Sequence, residues 1–233
     1  MRPAPVFRAI MSSPTLLLRR VGERRLARIC ADTRTLVLSY DDGPSPDLTP
    51  ELLDLLASHR ATATFFPQGA RAETNPELLD RVLAEGHEIG CHTYDHVHAW
   101  KSGSKIAVRD MERGYEVLAT WVPPSGPFRP PYGKMTVAML QAVRARNARL
   151  AWWTTVSGDT HPFPLPPPAR ALDRLRRTGG GVVLMHDHHL RSSRDGERRA
   201  AHVLEMTTTL IEAAPGEGWR IRSLAELDRS MAI

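Results

Sequence analysis

The chain has 233 residues, 42% of them hydrophobic and 24% charged, and a formal net charge of +5. That length suits one large α/β domain or two small ones, and the composition excludes a disordered or fibrous chain. The positive charge is almost all arginine, in short pairs such as Arg19-Arg20, Arg24-Arg25, Arg176-Arg177 and Arg198-Arg199. No aromatics interleave with these pairs, which argues against a nucleic-acid partner.

Cys30 and Cys91 are the only cysteines, too few for a disulfide framework, and read as reduced structural thiols. No apolar run approaches the roughly 18 residues of a spanning helix. The longest apolar run near the N-terminus, Leu16-Leu17-Leu18, stops at Arg19-Arg20 and is too short for a secretory signal, so the expected location is cytoplasmic. Residues 1–34 read as an N-terminal helical extension and 35–233 as one domain. Within the extension, Thr15 to Ile29 has helical spacing, with Leu18, Val21, Leu26 and Ile29 apolar among arginines. A narrow apolar face favours packing on the domain. Peripheral contact with a membrane surface is the alternative.

From Thr35 onward strands and helices alternate. Strands are expected at Thr35–Tyr40, Ala61–Phe66, Glu88–His92, Leu150–Val156, Val182–Met185 and Trp219–Leu224, with Pro127–Tyr132 extended. Helices are expected at Thr49–Ser58 with Thr49 as N-cap, from Asn75-Pro76 to Ala84, at Ser104–Trp121, Thr136–Ala145, Ala169–Arg177 and Glu197–Ala214. Such alternation predicts a parallel sheet with helices outside it, and the number of units favours a barrel. Chemistry in barrels collects at the C-terminal ends of strands. Polar residues stand there in this chain: Asp41-Asp42, His92 and His96, Arg129 and Tyr132, Asp159, and His186.

These residues suggest a reaction centre. Asp41 and Asp42 end an apolar strand and meet Gly43-Pro44, so they read either as turn-capping carboxylates or as a pair with divided labour beside a cation. His92-Thr93-Tyr94-Asp95-His96 places two imidazoles four residues apart, where one helical turn would put them on a common face. With one carboxylate of the Asp pair they make a two-histidine, one-carboxylate set suited to Zn²⁺ or a similar divalent ion. His98 reads as a surface residue or as a third histidine ligand. Arg129-Pro130-Pro131-Tyr132-Gly133 is a rigid loop. Its Tyr132 amide can serve an oxyanion, and Arg129 can pair with the carboxylate that does not bind the ion. His186 closes an apolar strand as a candidate general acid, although Asp187, His188 and His189 follow at once.

The motifs Ser39-Tyr40-Asp41-Asp42-Gly43, His92-Thr93-Tyr94-Asp95-His96, Arg129-Pro130-Pro131-Tyr132, Ser157-Gly158-Asp159-Thr160 and Leu184-Met185-His186 stand in order over about residues 35 to 190. Ala63-Thr64-Phe65-Phe66 with Gly69 adds to them. The chain resembles the NodB-type polysaccharide deacetylases of carbohydrate esterase family 4. The resemblance implies a distorted (β/α)7 TIM-like barrel and a metal-dependent hydrolase that removes N-acetyl groups from amino sugars in a poly- or oligosaccharide. It further implies that Asp42, His92 and His96 hold the metal, most simply Zn²⁺, and that Asp41 is the base and Arg129 its orienting partner. The Tyr132 amide would stabilise the oxyanion, His186 would be the acid, and Asp159 would orient His186. Thr160 stands where the family usually has Trp, with Trp152 or Trp153 as candidate replacements for that wall. Two alternatives are a deacylase or deformylase of a lipid- or nucleotide-linked amino sugar and a catalytically inactive carbohydrate-binding module.

Overall fold

The structure, a computed structural model, describes residues 14–189 and 192–229; residues 1–13 of the N-terminal extension lie outside it. In chain order it contains α1 (Pro14–Thr33), β1 (Thr35–Asp41), α2 (Thr49–Ser58), β2 (Ala63–Phe66), α3 (Gly69–Thr74), α4 (Pro76–Ala84), β3 (Glu88–Ile89), α5 (Ala99–Ser102) and α6 (Ser104–Val117). There follow α7 (Val137–Ala145), β4 (Thr155–Val156), α8 (Pro168–Thr178), β5 (Gly181–His186), α9 (Arg194–Glu217), β6 (Arg220–Ile221) and α10 (Leu224–Arg229).

Strands β3, β2, β1, β5 and β4 lie side by side in that order, all parallel. Single bridges from Cys91 to Phe128 and from Phe128 to Leu150 carry the ladder from the end of β3 to the segment that becomes β4. The sheet therefore returns on itself as a distorted (β/α)7 barrel. β6 pairs with Thr35 and Leu36 of β1, below the stretch Leu38–Asp41 that pairs with β2. β5 covers the opposite edge of β1 from Leu36 to Asp41, so β6 shares an edge with β2.

β1 is buried along its whole length, as expected of a parallel strand covered on both faces. Its alternation sorts two cores. Leu36, Leu38 and Tyr40 join the large cluster beneath the outer helices. Val37 faces a second cluster with Phe66, Ala151, Val182 and Leu224. Because successive side chains alternate, Ser39 and Asp41 continue the Val37 face upward to the barrel mouth. In β5, Val182, Leu184 and His186 do the same. The parallel register pairs Val37 with Val182, Ser39 with Leu184, and Asp41 with His186. An apolar floor thus rises on two adjacent strands to a carboxylate beside an imidazole.

The N-terminal helix α1 packs on the barrel. Cys30 is buried in the second cluster, with Leu26 and Ile29 against it. At its other end the Thr15 hydroxyl donates to the Met135 carbonyl at 3.0 Å, and Arg19 Nη1 reaches the Gly133 carbonyl. Among the described residues no helix is long and apolar enough to cross a membrane.

Several expected boundaries shift. The 150–156 strand is broken into a bridge at Leu150 and the short β4, because Ala151 N bonds to Phe128 on one side while Thr154 N bonds to Val182 on the other. Residues 219–224 give only β6, and the chain then turns into the unexpected α10, while α3 and α5 are further helices that no clear periodicity announces. The helix expected to reach Trp121 ends at Val117 and tightens into a 3₁₀ turn at Leu118–Thr120 before Pro123. Thr49 is not an N-cap: Leu48 holds that position, and the Thr49 hydroxyl instead accepts from Ser45 N at 2.8 Å and donates to Asp187 at 2.7 Å.

Candidate active site

The mouth of the barrel gathers the strand-end residues. Asp42 directly follows β1 with φ of 71°, a left-handed conformation that Asp tolerates and that turns its carboxylate away from the strand. Its Oδ1 lies 3.2 Å from His96 Nε2 and 3.4 Å from His92 Nε2. One ligand atom each from Asp42, His92 and His96 falls within 4.8 Å of the others. The two histidines do not sit on a helical turn, as their spacing suggested. Thr93 and His96 both take positive φ, 66° and 57°, and fold a tight non-helical loop. Asp110 of α6 clamps that loop: its carboxylate accepts from Asp95 N at 2.7 Å and from Val97 N at 3.0 Å. Gly114, one turn further along α6, permits the approach, since a Cβ there would lie 2.6 Å from the Thr93 carbonyl carbon.

The donor set suits a divalent ion. His92 Nδ1 lies 2.7 Å from the Arg129 carbonyl, which can only accept. Nδ1 therefore carries the proton, and the Nε2 lone pair points into the cluster. Burial, followed by the neighbouring His92, pushes the His96 imidazole down to about 4, so it is neutral at neutral pH. Burial opposes ionisation of Asp42, but His92 and His96 outweigh it and hold the carboxyl well below the usual range. Two imidazole nitrogens and a carboxylate facing one point make a donor set typical of Zn²⁺. Gln68 Nε2 donates to Asp42 Oδ1 at 2.9 Å and fixes its orientation.

Asp41 has a different partner. Arg129 Nη1 donates to its Oδ1 at 2.7 Å and to Ser39 Oγ at 2.9 Å. Arg129 is fully buried, with its guanidinium 4.0 Å over the Phe66 ring. Burial lowers its pKa, and the adjacent Asp41 works against that fall. Across the register from Asp41, His186 takes its backbone N and its Nδ1 to Asp159, at 3.0 and 3.1 Å. Burial disfavours the imidazolium, but the Asp159 charge and hydrogen bond prevail and push His186 up to about 9. Asp159 is itself held well below its ordinary value despite burial, first by the charge of His186 and then by hydrogen bonds from His186, His189 and Ser157. His189 Nε2 lies 3.0 Å from Asp159 Oδ2.

Tyr132 sits in a 3₁₀ turn with φ of 57°, its ring half-exposed and 4.6 Å from the His96 ring. His98 is outside the ligand trio and lies near Lys134 Nζ, at 3.4 Å. Trp152 is buried in the core against Gly22. The Trp153 ring has Arg19 at 4.6 Å and Arg129 at 5.7 Å.

A polysaccharide deacetylase model matches residues 28–151. The chain is also 31% identical to a peptidoglycan-N-acetylglucosamine deacetylase of Bacillus cereus, over 84% of this chain and 89% of that protein. This chain belongs to the polysaccharide deacetylase family. It is 31% identical as well to a chitooligosaccharide deacetylase of a Bradyrhizobium species, over 84% of this chain and 91% of that one. The structure of peptidoglycan deacetylase PdaC from Bacillus subtilis superimposes with a TM-score of 0.67 at 25% identity, covering 85% of this chain and 92% of that one.

The polysaccharide deacetylase barrel also uses residues that the motifs alone do not single out. Asp110, Gln68 and His189 each hold a residue of the centre in place. Asp110 left a signal: Ala107, Asp110, Met111 and Gly114 share one helix face and are buried, and a carboxylate on a buried face requires a partner. His189 left only an ambiguous one, as the last of three adjacent titratable residues after His186.

Proposed function

We propose that the chain hydrolyses the N-acetyl amide of amino sugars in a poly- or oligosaccharide, with a divalent metal, most simply Zn²⁺, held by Asp42, His92 and His96. The observation that carries this reading is the register of β1 and β5, which puts Asp41 and His186 on neighbouring strands beside that trio. A divalent ion held by Asp42, His92 and His96 would supply Lewis acidity toward the acetamide carbonyl and lower the pKa of a water beside it. Asp41, held by the hydrogen bond from the Arg129 guanidinium, takes the proton of the attacking water. The Tyr132 N–H donates to the oxygen that becomes negative as the carbonyl carbon turns tetrahedral. His186, kept protonated by Asp159, delivers its proton to the departing amine nitrogen, without which the C–N bond does not break. Acetate and a free amino sugar leave.

The reading is tested with Asp41→Asn. The variant is expected to retain metal, by elemental analysis, and to release no acetate from N-acetylglucosamine oligomers. Wild-type rates in that variant would remove Asp41 from the role of base. Faster release of an acyl or formyl group from lipid- or nucleotide-linked sugars would shift the substrate to that class.

A further inference from the structure

Beside the catalytic mouth lies a cleft of about 500 Å³, bounded by α1, the 153–158 segment and α8. Its size falls in the roughly 300–1,000 Å³ range of ligand sites. Arg19, Arg20 and Arg24 enter it from α1, and Arg170 and Arg174 from α8, against a single acid, Glu23. Helical spacing produces this convergence: 20, 24 and 27 lie along one stripe of α1, and 170 and 174 along one stripe of α8. Two of the five cations are engaged. Arg19 pairs with Glu23 at 2.7 Å, and Arg174 Nε donates to the Thr154 carbonyl at 3.1 Å. Arg20, Arg24 and Arg170 make no side-chain hydrogen bond or ion pair with any described residue.

A second observation points the same way. Thr155 lines this cleft, is only 3% exposed, and its Oγ1 has no hydrogen-bond partner among the described residues. A buried hydroxyl left unbonded costs free energy, so the protein's own groups do not fully satisfy this wall of the cleft. The cleft also adjoins the centre. Ser157 and Gly158 form part of its wall, and the next residue, Asp159, holds His186. Trp153, another wall residue, lies between Arg19 and the Arg129 that holds Asp41. The α1 arginines, the 153–158 segment and α8 all fall outside the stretch 28–151 matched by the family model.

We infer that this cleft is an anion subsite, which binds a carboxylate or phosphate borne by the same glycan whose acetamide enters the catalytic centre. The inference rests on the function proposed above and narrows its substrate to an acidic N-acetylated glycan. Unpaired guanidiniums around a cavity repel one another, and a planar or tetrahedral oxyanion accepts several of their N–H groups at once. The free arginines come from two different helices that border one cleft, α1 and α8, which favours a glycan substituent over a flat lipid surface.

The test is calorimetric binding, measured in full-length Asp41→Asn protein so that the glycans remain intact. The probes are a neutral N-acetylglucosamine tetramer, an alternating N-acetylglucosamine and N-acetylmuramic acid tetramer with free carboxylates, and N-acetylglucosamine 1-phosphate set against N-acetylglucosamine. At least one acidic probe is expected to bind about tenfold more tightly than its neutral counterpart, the worth of one charged hydrogen bond. Which pair shows the gain identifies carboxylate or phosphate. Combined Arg20→Gln, Arg24→Gln and Arg170→Gln is expected to abolish the preference, and the three Arg→Lys changes to keep part of it. All three side chains are exposed, so the melting temperature should not move. Equal binding of acidic and neutral probes overturns the inference, as does a preference that survives the Gln variant. So does loss in that variant of binding to phosphatidylglycerol vesicles alone. Absence of acetate release from every glycan by the wild-type chain would defeat the catalytic reading while leaving this binding comparison decisive for the cleft.

Discussion

The catalytic mouth and the arginine cleft lie on either side of one turn, Ser157 to Asp159, and handle charge in opposite ways. At the mouth the acidic groups are buried and each has a partner. Asp41 meets Arg129, Asp159 meets His186, and Asp42 meets two imidazoles. In the cleft three exposed guanidiniums, those of Arg20, Arg24 and Arg170, have no partner among the described residues. Matched charges hold groups in fixed protonation states, which proton transfer requires. Unmatched charges at a cavity leave their hydrogen-bonding capacity for a ligand. The contrast teaches that +5 of formal charge is no guide to function until its partners are located.

The largest expected effect breaks the mouth directly. Asp41→Asn should lower kcat/KM by about 10²–10⁴ or more, the scale of a general base, with an unchanged circular dichroism spectrum. Arg129→Met should lower stability by about 3–5 kcal/mol in urea unfolding, because Asp41 is then left as a buried carboxylate without its cation. Asp110→Ala should weaken metal affinity about 10–100-fold in a competition titration, since the loop bearing His92 and His96 loses two backbone anchors.

The pH profile sharpens the same contrast. His186 must be protonated to act as acid, and its folded pKa is raised to about 9. Activity that depends on it should hold below that value and fall as pH rises through it. The stability supplied by the Asp159–His186 pair runs in parallel: on the alkaline side it is complete below the ordinary imidazole value of roughly 6.5 and lost as His186 deprotonates near 9. On the acid side it is complete above the ordinary carboxylate value and lost as Asp159 is protonated below it. Asp159→Asn should draw the alkaline limb of kcat/KM down toward about 6.5. The smallest effect is expected at Thr160→Ala. This side chain is exposed, and the substitution should alter stability by less than about 0.5 kcal/mol in a thermal melt.

The legible part of this molecule is the part written locally. The apolar run Leu36–Tyr40 announces β1, and the residues at its end announce the mouth. The 92–96 loop was legible only as a spacing. His92 and His96 converge, but through two left-handed residues and a clamp from α6, which no local pattern encodes. The cleft was less legible still. Arg19-Arg20 and Arg24-Arg25 read only as short basic pairs, because nothing in the 14–33 stretch says that Arg170 and Arg174 will stand opposite. Such pairings depend on the barrel closing through Phe128 and Leu150, a long-range event signalled only by single bridges.

The measurement that bears most directly on the central claim is acetate release from N-acetylated oligosaccharides, before chelation, after it, and after Zn²⁺ is restored. The account predicts release that disappears with the chelator and returns with zinc, and that fails to return in His92→Ala or His96→Ala. Release that persists in fully chelated protein, or that zinc restores in those two variants, would contradict it.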